Sequence, residues 1–205
     1  MKISFDYDIV VLKFDTKQEM NLDLYRIQEY YESPYKEIKG KYFTFEQFVK
    51  KYSNETGLDY FVKWGGCNFP ADVAISFSNL FLEEDKLSKT EQTIFDLAEQ
   101  GWKYFIAYVE GDEGTTMHEM SHYHFFSSSK YRNKVKSAIK RHNKTVIRKM
   151  KNALKKEGYT DSVLDDEINA YMIADQFEDL YDIFYKNGVT RKEVANLQKE
   201  LYEIQ

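Results

Sequence analysis

The residues best suited to chemistry lie within residues 115–124, which contain the array His-Glu-x-x-His. Residues four apart in an α-helix lie about 40° apart around its axis, so His118 and His122 can both direct an imidazole to one metal ion. Glu119 is close enough to reach a water molecule beside that ion. Two histidines and a neighbouring general base are typical of a zinc hydrolase, which then needs a third ligand. An amphipathic helix with two surface histidines is the alternative.

The segments before and after the array favour the metal interpretation. Residues 103–109 are rich in aromatic and β-branched side chains, which predicts a strand. The glycines in residues 110–114 end that strand. Thr116 followed by Glu119 fits a capping box, so we expect a helix that begins there and continues to about Phe126. The array then lies in the first turns of a helix that follows a strand.

A third histidine ligand is not expected from the same part of the chain. The pattern H-E-x-x-H-x-x-G-x-x-H would require glycine and histidine at positions where this chain has Phe125 and Ser128. His124 is six positions from His118, about 240° around a helix, so it cannot join the same ion. His142 has no partner pattern, and we expect both of these histidines to be surface or packing residues.

The acidic residues 165–167 offer a third ligand instead. Glu167 lies near the start of a predicted helix over 162–185, and the small residue Ala170 would let that helix approach the first one closely. We therefore expect Glu167 to be the third ligand, with Asp165 and Asp166 as shorter rivals. The alternative is that these carboxylates only stabilise a helix N-terminus.

These residues resemble the signature of the gluzincin metallopeptidases, especially compact single-domain members, over residues 103–176. The resemblance implies an α+β, zincin-like fold with a small mixed or antiparallel sheet. It places an edge strand beside the His-Glu-x-x-His helix, where the strand could pair with an extended peptide. A C-terminal helical part would supply the third ligand. The implied activity is hydrolysis of a peptide or protein with one Zn²⁺ and with Glu119 as general base.

One position departs from that family pattern. Many gluzincins have an aspartate four residues after the glutamate ligand, and this chain has Tyr171 there. Its hydroxyl could bind a zinc histidine or stabilise an oxyanion, so Tyr171 is a candidate catalytic residue, with core packing as the alternative. Asp112 and Asp175 are alternative carboxylates for orienting a histidine.

Positive charge is concentrated in residues 130–156, which contain twelve of the 29 Lys and Arg residues and none of the 34 Asp and Glu residues. Apolar residues are interleaved with them: Val135, Ile139, Val146, Ile147, Met150 and Leu154. We interpret the segment as packed amphipathic helix, in one or two pieces, with a solvated basic face. Contact with nucleic acid, as in a regulatory protease, is a less favoured alternative. A catalytically silent metal-containing interaction module is another.

The length of 205 residues predicts one domain, 1–205, with an N-terminal α+β part in 1–102 and the catalytic strand and helices in 103–205. No apolar run approaches the roughly 18 residues of a membrane span. The first eight residues include two aspartates and do not suit a secretory leader. One cysteine, Cys67, cannot form an internal disulfide. We therefore expect a cytoplasmic protein, although a single cysteine would also be compatible with export.

The remaining predicted elements follow from periodicity and capping. Cys67 lies in a predicted loop and is expected to be buried. Its alternative role is as a thiolate that occupies the open coordination position of the metal. The predictions are strands within 3–14, helices over 17–32 and 44–56, a short strand over 58–62, an irregular loop over 64–70, and helices over 72–83, 88–100 and 190–203.

Overall fold

The computed structural model describes residues 1–53, 59–84, 86–174 and 176–204. The chain divides into two compact units, Met1–Asp112 and Glu113–Gln205. The first unit combines helices with a four-stranded sheet, and the described residues of the second unit form helices without a strand. The predicted α+β class with a small mixed sheet is confirmed.

The sheet of the first unit has the strand order β1-β2-β4-β3. Strands β1 and β2 form an antiparallel pair, β2 and β4 are parallel, and β3 is antiparallel to β4. The parallel register places Ile9 opposite Tyr104. The strands are β1 (Lys2–Asp6), β2 (Ile9–Phe14), β3 (Gly66–Pro70) and β4 (Tyr104–Val109).

The prediction that the strand before the array lies at a sheet edge is wrong. Strand β4 is hydrogen-bonded to β2 on one side and to β3 on the other, so it has no free row of backbone groups to pair with a substrate peptide. Its first four residues are buried. Strands β1 and β3 form the two edges.

Two helices of the first unit begin with the predicted capping boxes, Thr44 with Gln47 and Ser88 with Glu91. The Thr16 hydroxyl also accepts from the Glu19 backbone N–H at the start of the first helix. The helices cover one face of the sheet with an aromatic core that includes Phe14, Phe69 and Phe105. They are α1 (Lys17–Glu32), α2 (Phe45–Ser53), α3 (Tyr60–Lys63), α4 (Ala71–Glu84) and α5 (Lys89–Glu99).

Two short predictions in this unit are wrong. The residues predicted as a strand over 58–62 form helix α3 from Tyr60 onwards, and Leu58 lies outside the described residues. The predicted loop over 64–70 contains strand β3, in which Cys67 and Phe69 are buried while Asn68 is only partly buried. That alternation arises because β3 pairs with β4, a partner about 40 residues away.

The second unit begins with the helix that carries the array, α6 (Glu113–Ser127). The basic region forms two helices, α7 (Ser129–Arg141) and α8 (Lys144–Lys156), capped by the side chains of Ser128 and Asn143. Helix α9 (Leu164–Ala174) follows. The unit ends with the short helix α10 (Phe177–Asp179), a π-helical turn (Leu180–Phe184), a 3-10 turn (Tyr185–Asn187) and helix α11 (Arg191–Tyr202).

The prediction of one helix over 162–185 is wrong, because α9 ends at Ala174 and the later turns have a different geometry. The π-helical turn keeps Leu180, Ile183 and Phe184 buried, where they join the core of the second unit. The apolar residues interleaved with the basic ones are buried in the same core, as predicted. Among the described helices none is both long enough and apolar enough to cross a membrane.

Helix α6 starts earlier than predicted and has a different cap. It begins at Glu113, so Thr116 lies inside its first turn rather than at the N-cap. When the Gln176 amide is oriented so that its hydrogen bonds are satisfied, its side-chain oxygen faces α6. That oxygen accepts hydrogen bonds from the backbone N–H groups of Thr115 (2.7 Å) and Gly114 (3.3 Å). A side chain distant in sequence therefore supplies acceptors to the N-terminal turn.

Candidate metal centre

The candidate centre lies where α9 packs against α6 in the second unit. Helix α6 contributes His118 and His122, and α9 contributes Glu167 from its first turn. Ala170, one turn after the glutamate, is fully buried. Its small side chain is what the sequence predicted for a close approach of the two helices.

The three side chains bring one ligand atom each to a common point. The Nε2 atoms of His118 and His122 are 3.1 Å apart. Glu167 places Oε2 3.6 Å from Nε2 of His118 and Oε1 3.7 Å from Nε2 of His122. Nitrogen and oxygen ligands at ordinary zinc distances, arranged tetrahedrally, would be about 3.4 Å apart. One ligand atom of each residue lies within 4.8 Å of the other two, so the group could hold a metal ion.

Burial and charge at these residues also fit a cation. Glu167 is only 6% exposed, and its Oε2 atom has no hydrogen-bond partner among the described residues. Burial alone would lower the pKa of His122, but Glu167, Asp166 and Glu119 together hold that pKa well above its usual value. The surroundings of His122 thus favour positive charge, which a proton or a metal ion would supply. Burial opposes ionisation of Glu167, yet the two histidines hold its pKa below the usual value.

Asp166 has a different role from its neighbour Glu167. Its Oδ2 atom lies 3.1 Å from Nδ1 of His122, the ring nitrogen away from Nε2. A carboxylate in this position fixes the ring and the Nδ1–H tautomer, leaving the Nε2 lone pair for a metal. Burial raises the pKa of Asp166, and His122 opposes that rise. Asp165, the other rival as a ligand, instead pairs with Lys151 at 2.7 Å.

Glu119 and Tyr171 border the same cluster. Glu119 is 5% exposed, and its charge raises the pKa of both His122 and Tyr171. The ring of Tyr171 packs edge-on against His118 with centroids 4.6 Å apart. Its hydroxyl lies 3.1 Å from that of Tyr159. Burial and the Glu167 carboxylate hold the pKa of Tyr171 well above its usual value, so the phenol is a hydrogen-bond donor at neutral pH.

The group of three ligand atoms does not include His124, which is exposed on α6. Asp112 belongs to the first unit and Asp175 lies outside the described residues, so their orienting roles stay predictions. His142 approaches Glu200 at 3.2 Å, away from the three ligand atoms. Cys67 is buried within β3 of the first unit.

Two residues around the cluster have places that the sequence does not predict. Asp166 is predicted only as a rival ligand, whereas it lies beside Nδ1 of His122. Tyr159 is not among the predicted site residues. It follows Gly158 after the end of α8 and reaches Tyr171 through side-chain geometry, for which the sequence has no local signal.

Comparisons of the chain with protein-family models, with curated proteins and with solved structures find no match. The resemblance to gluzincins therefore rests on the residues that carry it, and the chemistry of the centre has to follow from their arrangement.

Proposed function

We propose that the protein is a zinc-dependent peptidase with its active centre at His118, His122 and Glu167. The observation that carries the proposal is the convergence of these three ligand atoms beside the turn of α6 that also contains buried Glu119. Two imidazoles and one carboxylate are a donor set that suits zinc better than magnesium or calcium. Three protein ligands leave a coordination position open, as in catalytic rather than structural zinc sites.

In this proposal each side chain has a defined task. Bound at the three ligands, Zn²⁺ would lower the pKa of a water molecule and polarise the scissile carbonyl. Glu119 accepts the proton of the attacking water on a carboxylate oxygen and delivers it to the leaving amine nitrogen. Asp166 holds the His122 ring through Nδ1. Tyr171 donates its hydroxyl proton in a hydrogen bond to the oxyanion that develops on the carbonyl oxygen.

The direct test combines metal analysis with a cleavage screen. Purified protein, loaded with zinc, is incubated with a library of proteome-derived peptides, and new peptide termini are identified by mass spectrometry. We expect Glu119→Gln to retain zinc while its cleavage rate falls by about 10²–10⁴-fold, the usual contribution of a general base. His118→Ala and Glu167→Ala should lose zinc as well as cleavage. Unchanged turnover in Glu119→Gln would sink the mechanism.

A matched control uses another histidine of the same helix. His124→Ala alters an exposed imidazole of α6 that does not belong to the ligand group, so both zinc content and cleavage should be preserved. Stoichiometric zinc without cleavage of any library peptide by the wild type would instead favour a catalytically silent metal-containing interaction module.

A further inference from the structure

A basic groove of about 600 Å³ lies along helices α7 and α8, and the proposed peptidase chemistry makes no use of it. Its lining contains one carboxylate, that of Asp165, and a histidine, His142. The apolar residues at its base, Ile139 and Ile147, are 3% and 9% exposed. The cations that line the groove are Lys136, Lys140, Lys144, Arg148, Lys151 and Lys155.

Four of these cations form a stripe along α8. Lys144, Arg148, Lys151 and Lys155 follow one another at intervals of four, three and four residues. On an α-helix this spacing keeps all four side chains within a sector of about 60° and spreads them over about 16 Å. Like charges three and four residues apart repel and destabilise a helix, so an anion bound along the stripe would relieve that repulsion.

Several of the groove cations are available to a ligand. Lys140, Lys144 and Arg148 are exposed, and none of them has a carboxylate within 4.0 Å among the described residues. The two cations toward the C-terminus of α8 are paired: Lys151 with Asp165 at 2.7 Å, and Lys155 with Asp161 at 2.6 Å. An anionic chain that enters the groove would therefore first neutralise Lys140, Lys144 and Arg148.

We propose that this groove binds the phosphodiester backbone of a nucleic-acid strand without reading its bases. Release of condensed counterions from phosphates drives such binding, whereas exposed lysine–carboxylate pairs contribute almost nothing. An acidic peptide would therefore need apolar anchors, and the buried Ile139 and Ile147 offer it very little surface. The lining contains no Phe, Tyr or Trp on which a base could stack. The groove can therefore recognise only a row of phosphates, which DNA and RNA share.

The groove is separate from the metal centre, so the inference does not depend on peptidase activity. Asp165, which lines the groove, precedes the ligand Glu167 by two residues in α9. Two residues correspond to about 200° around a helix, which directs the two carboxylates to opposite sides of α9.

The test measures fluorescence anisotropy of labelled single strands of about 20 nucleotides, oligothymidylate and oligouridylate, with the full chain. Four to six phosphate contacts predict a slope of log affinity against log salt of about −3 to −4, or a loss of roughly 50- to 300-fold between 50 and 200 mM salt. Removing two contacts in Lys144→Ala/Arg148→Ala should reduce the slope by about 1.4 units and weaken binding at low salt.

A matched control removes the same charge outside the groove. Lys130 and Lys134 are exposed on α7 in a surface that also contains Glu200 and Glu203, so Lys130→Ala/Lys134→Ala should leave the slope unchanged. Circular dichroism verifies the fold of both double variants. Equal weakening by the control, or the lack of binding by the wild type to either strand at 50 mM salt, would overturn the proposal. Displacement of the strands by poly-glutamate at equal charge concentration would identify an acidic polypeptide as the occupant instead.

Discussion

The hydrogen bond between Asp166 and His122 predicts a measurable change in metal affinity when the carboxylate is removed. In Asp166→Ala, the three proposed ligands stay in place, but Nδ1 of His122 loses the acceptor 3.1 Å away. The imidazole is 6% exposed, so water can replace that acceptor only in part. The ring then gains rotational freedom and its Nε2 atom becomes a weaker ligand.

Two independent estimates give the size of this effect. A hydrogen bond to a charged group contributes about 1.5–3 kcal/mol, and the loss of a partner of a metal-binding histidine costs about 10- to 100-fold in affinity. Because the Asp166 side chain is 23% exposed, solvent screening favours the lower half of these ranges. We expect Asp166→Ala to bind zinc about 30-fold more weakly, equivalent to about 2 kcal/mol. Asp166→Asn keeps an acceptor and should lose only about 5-fold.

Competition of the protein with a chromophoric zinc chelator at neutral pH measures these affinities directly. Asp165→Ala is the matched control, because it removes an adjacent carboxylate of the same helix that pairs with Lys151 rather than with a histidine. Its zinc affinity should stay within about twofold of the wild type. The orienting role of Asp166 is refuted if Asp166→Ala binds zinc as tightly as the wild type, or if the two alanine variants lose affinity equally.

Two further predictions address the tyrosine beside the cluster and a buried acid in the first unit. Tyr171→Phe should lower turnover by about 10²-fold with unchanged zinc content, because the ring contact with His118 is kept; equal turnover would leave Tyr171 with a packing role. Glu29 accepts hydrogen bonds from Tyr52 and Tyr60, and burial raises its pKa above the ordinary 4.5. Because its pKa is raised in the folded state, the protonated Glu29 carboxyl contributes stability at pH values below 4.5. That contribution is lost as the pH rises through the folded-state pKa. The free energy of unfolding of Glu29→Gln, measured in urea, should therefore rise relative to that of the wild type as the pH increases from about 4 to about 8. A difference between the two proteins that does not change with pH would contradict this.

Three capping boxes predicted from three-residue spacing are confirmed: Thr44 with Gln47, Ser88 with Glu91, and Thr190 with Glu193. The fourth, Thr116 with Glu119, is wrong because α6 begins at Glu113. These signals are interactions within one helix turn, so a short stretch of sequence contains all of them. The group of His118, His122 and Glu167, which could hold a metal ion, is predictable for a related reason. The four-residue spacing of His118 and His122 sets the geometry of two ligands. Only the proposed third ligand, a carboxylate among residues 165–167, lies far away in the sequence.

The errors concern interactions between distant parts of the chain. Residues 66–70 become a strand because they pair with β4, and their sequence Gly-Cys-Asn-Phe-Pro has no strand signal of its own. Strand order decides that β4 is interior, and an aromatic run looks the same at an edge or in the middle of a sheet. The start of α6 depends on Gln176, more than 60 residues later. Such contacts arise from packing, which periodicity and propensity do not encode locally.

The three consecutive acids at the start of α9 illustrate why side-chain direction matters more than composition. Asp165 pairs with Lys151, Asp166 faces Nδ1 of His122, and Glu167 approaches both Nε2 atoms. Successive residues of a helix point about 100° apart, so three neighbouring carboxylates cannot share one site. The additional methylene of glutamate would suit a position that reaches an ion between α6 and α9, and the shorter aspartate suits the contact behind the histidine ring. The proposed assignment of ligand and supporting residue therefore follows from the helical phase of α9 relative to α6.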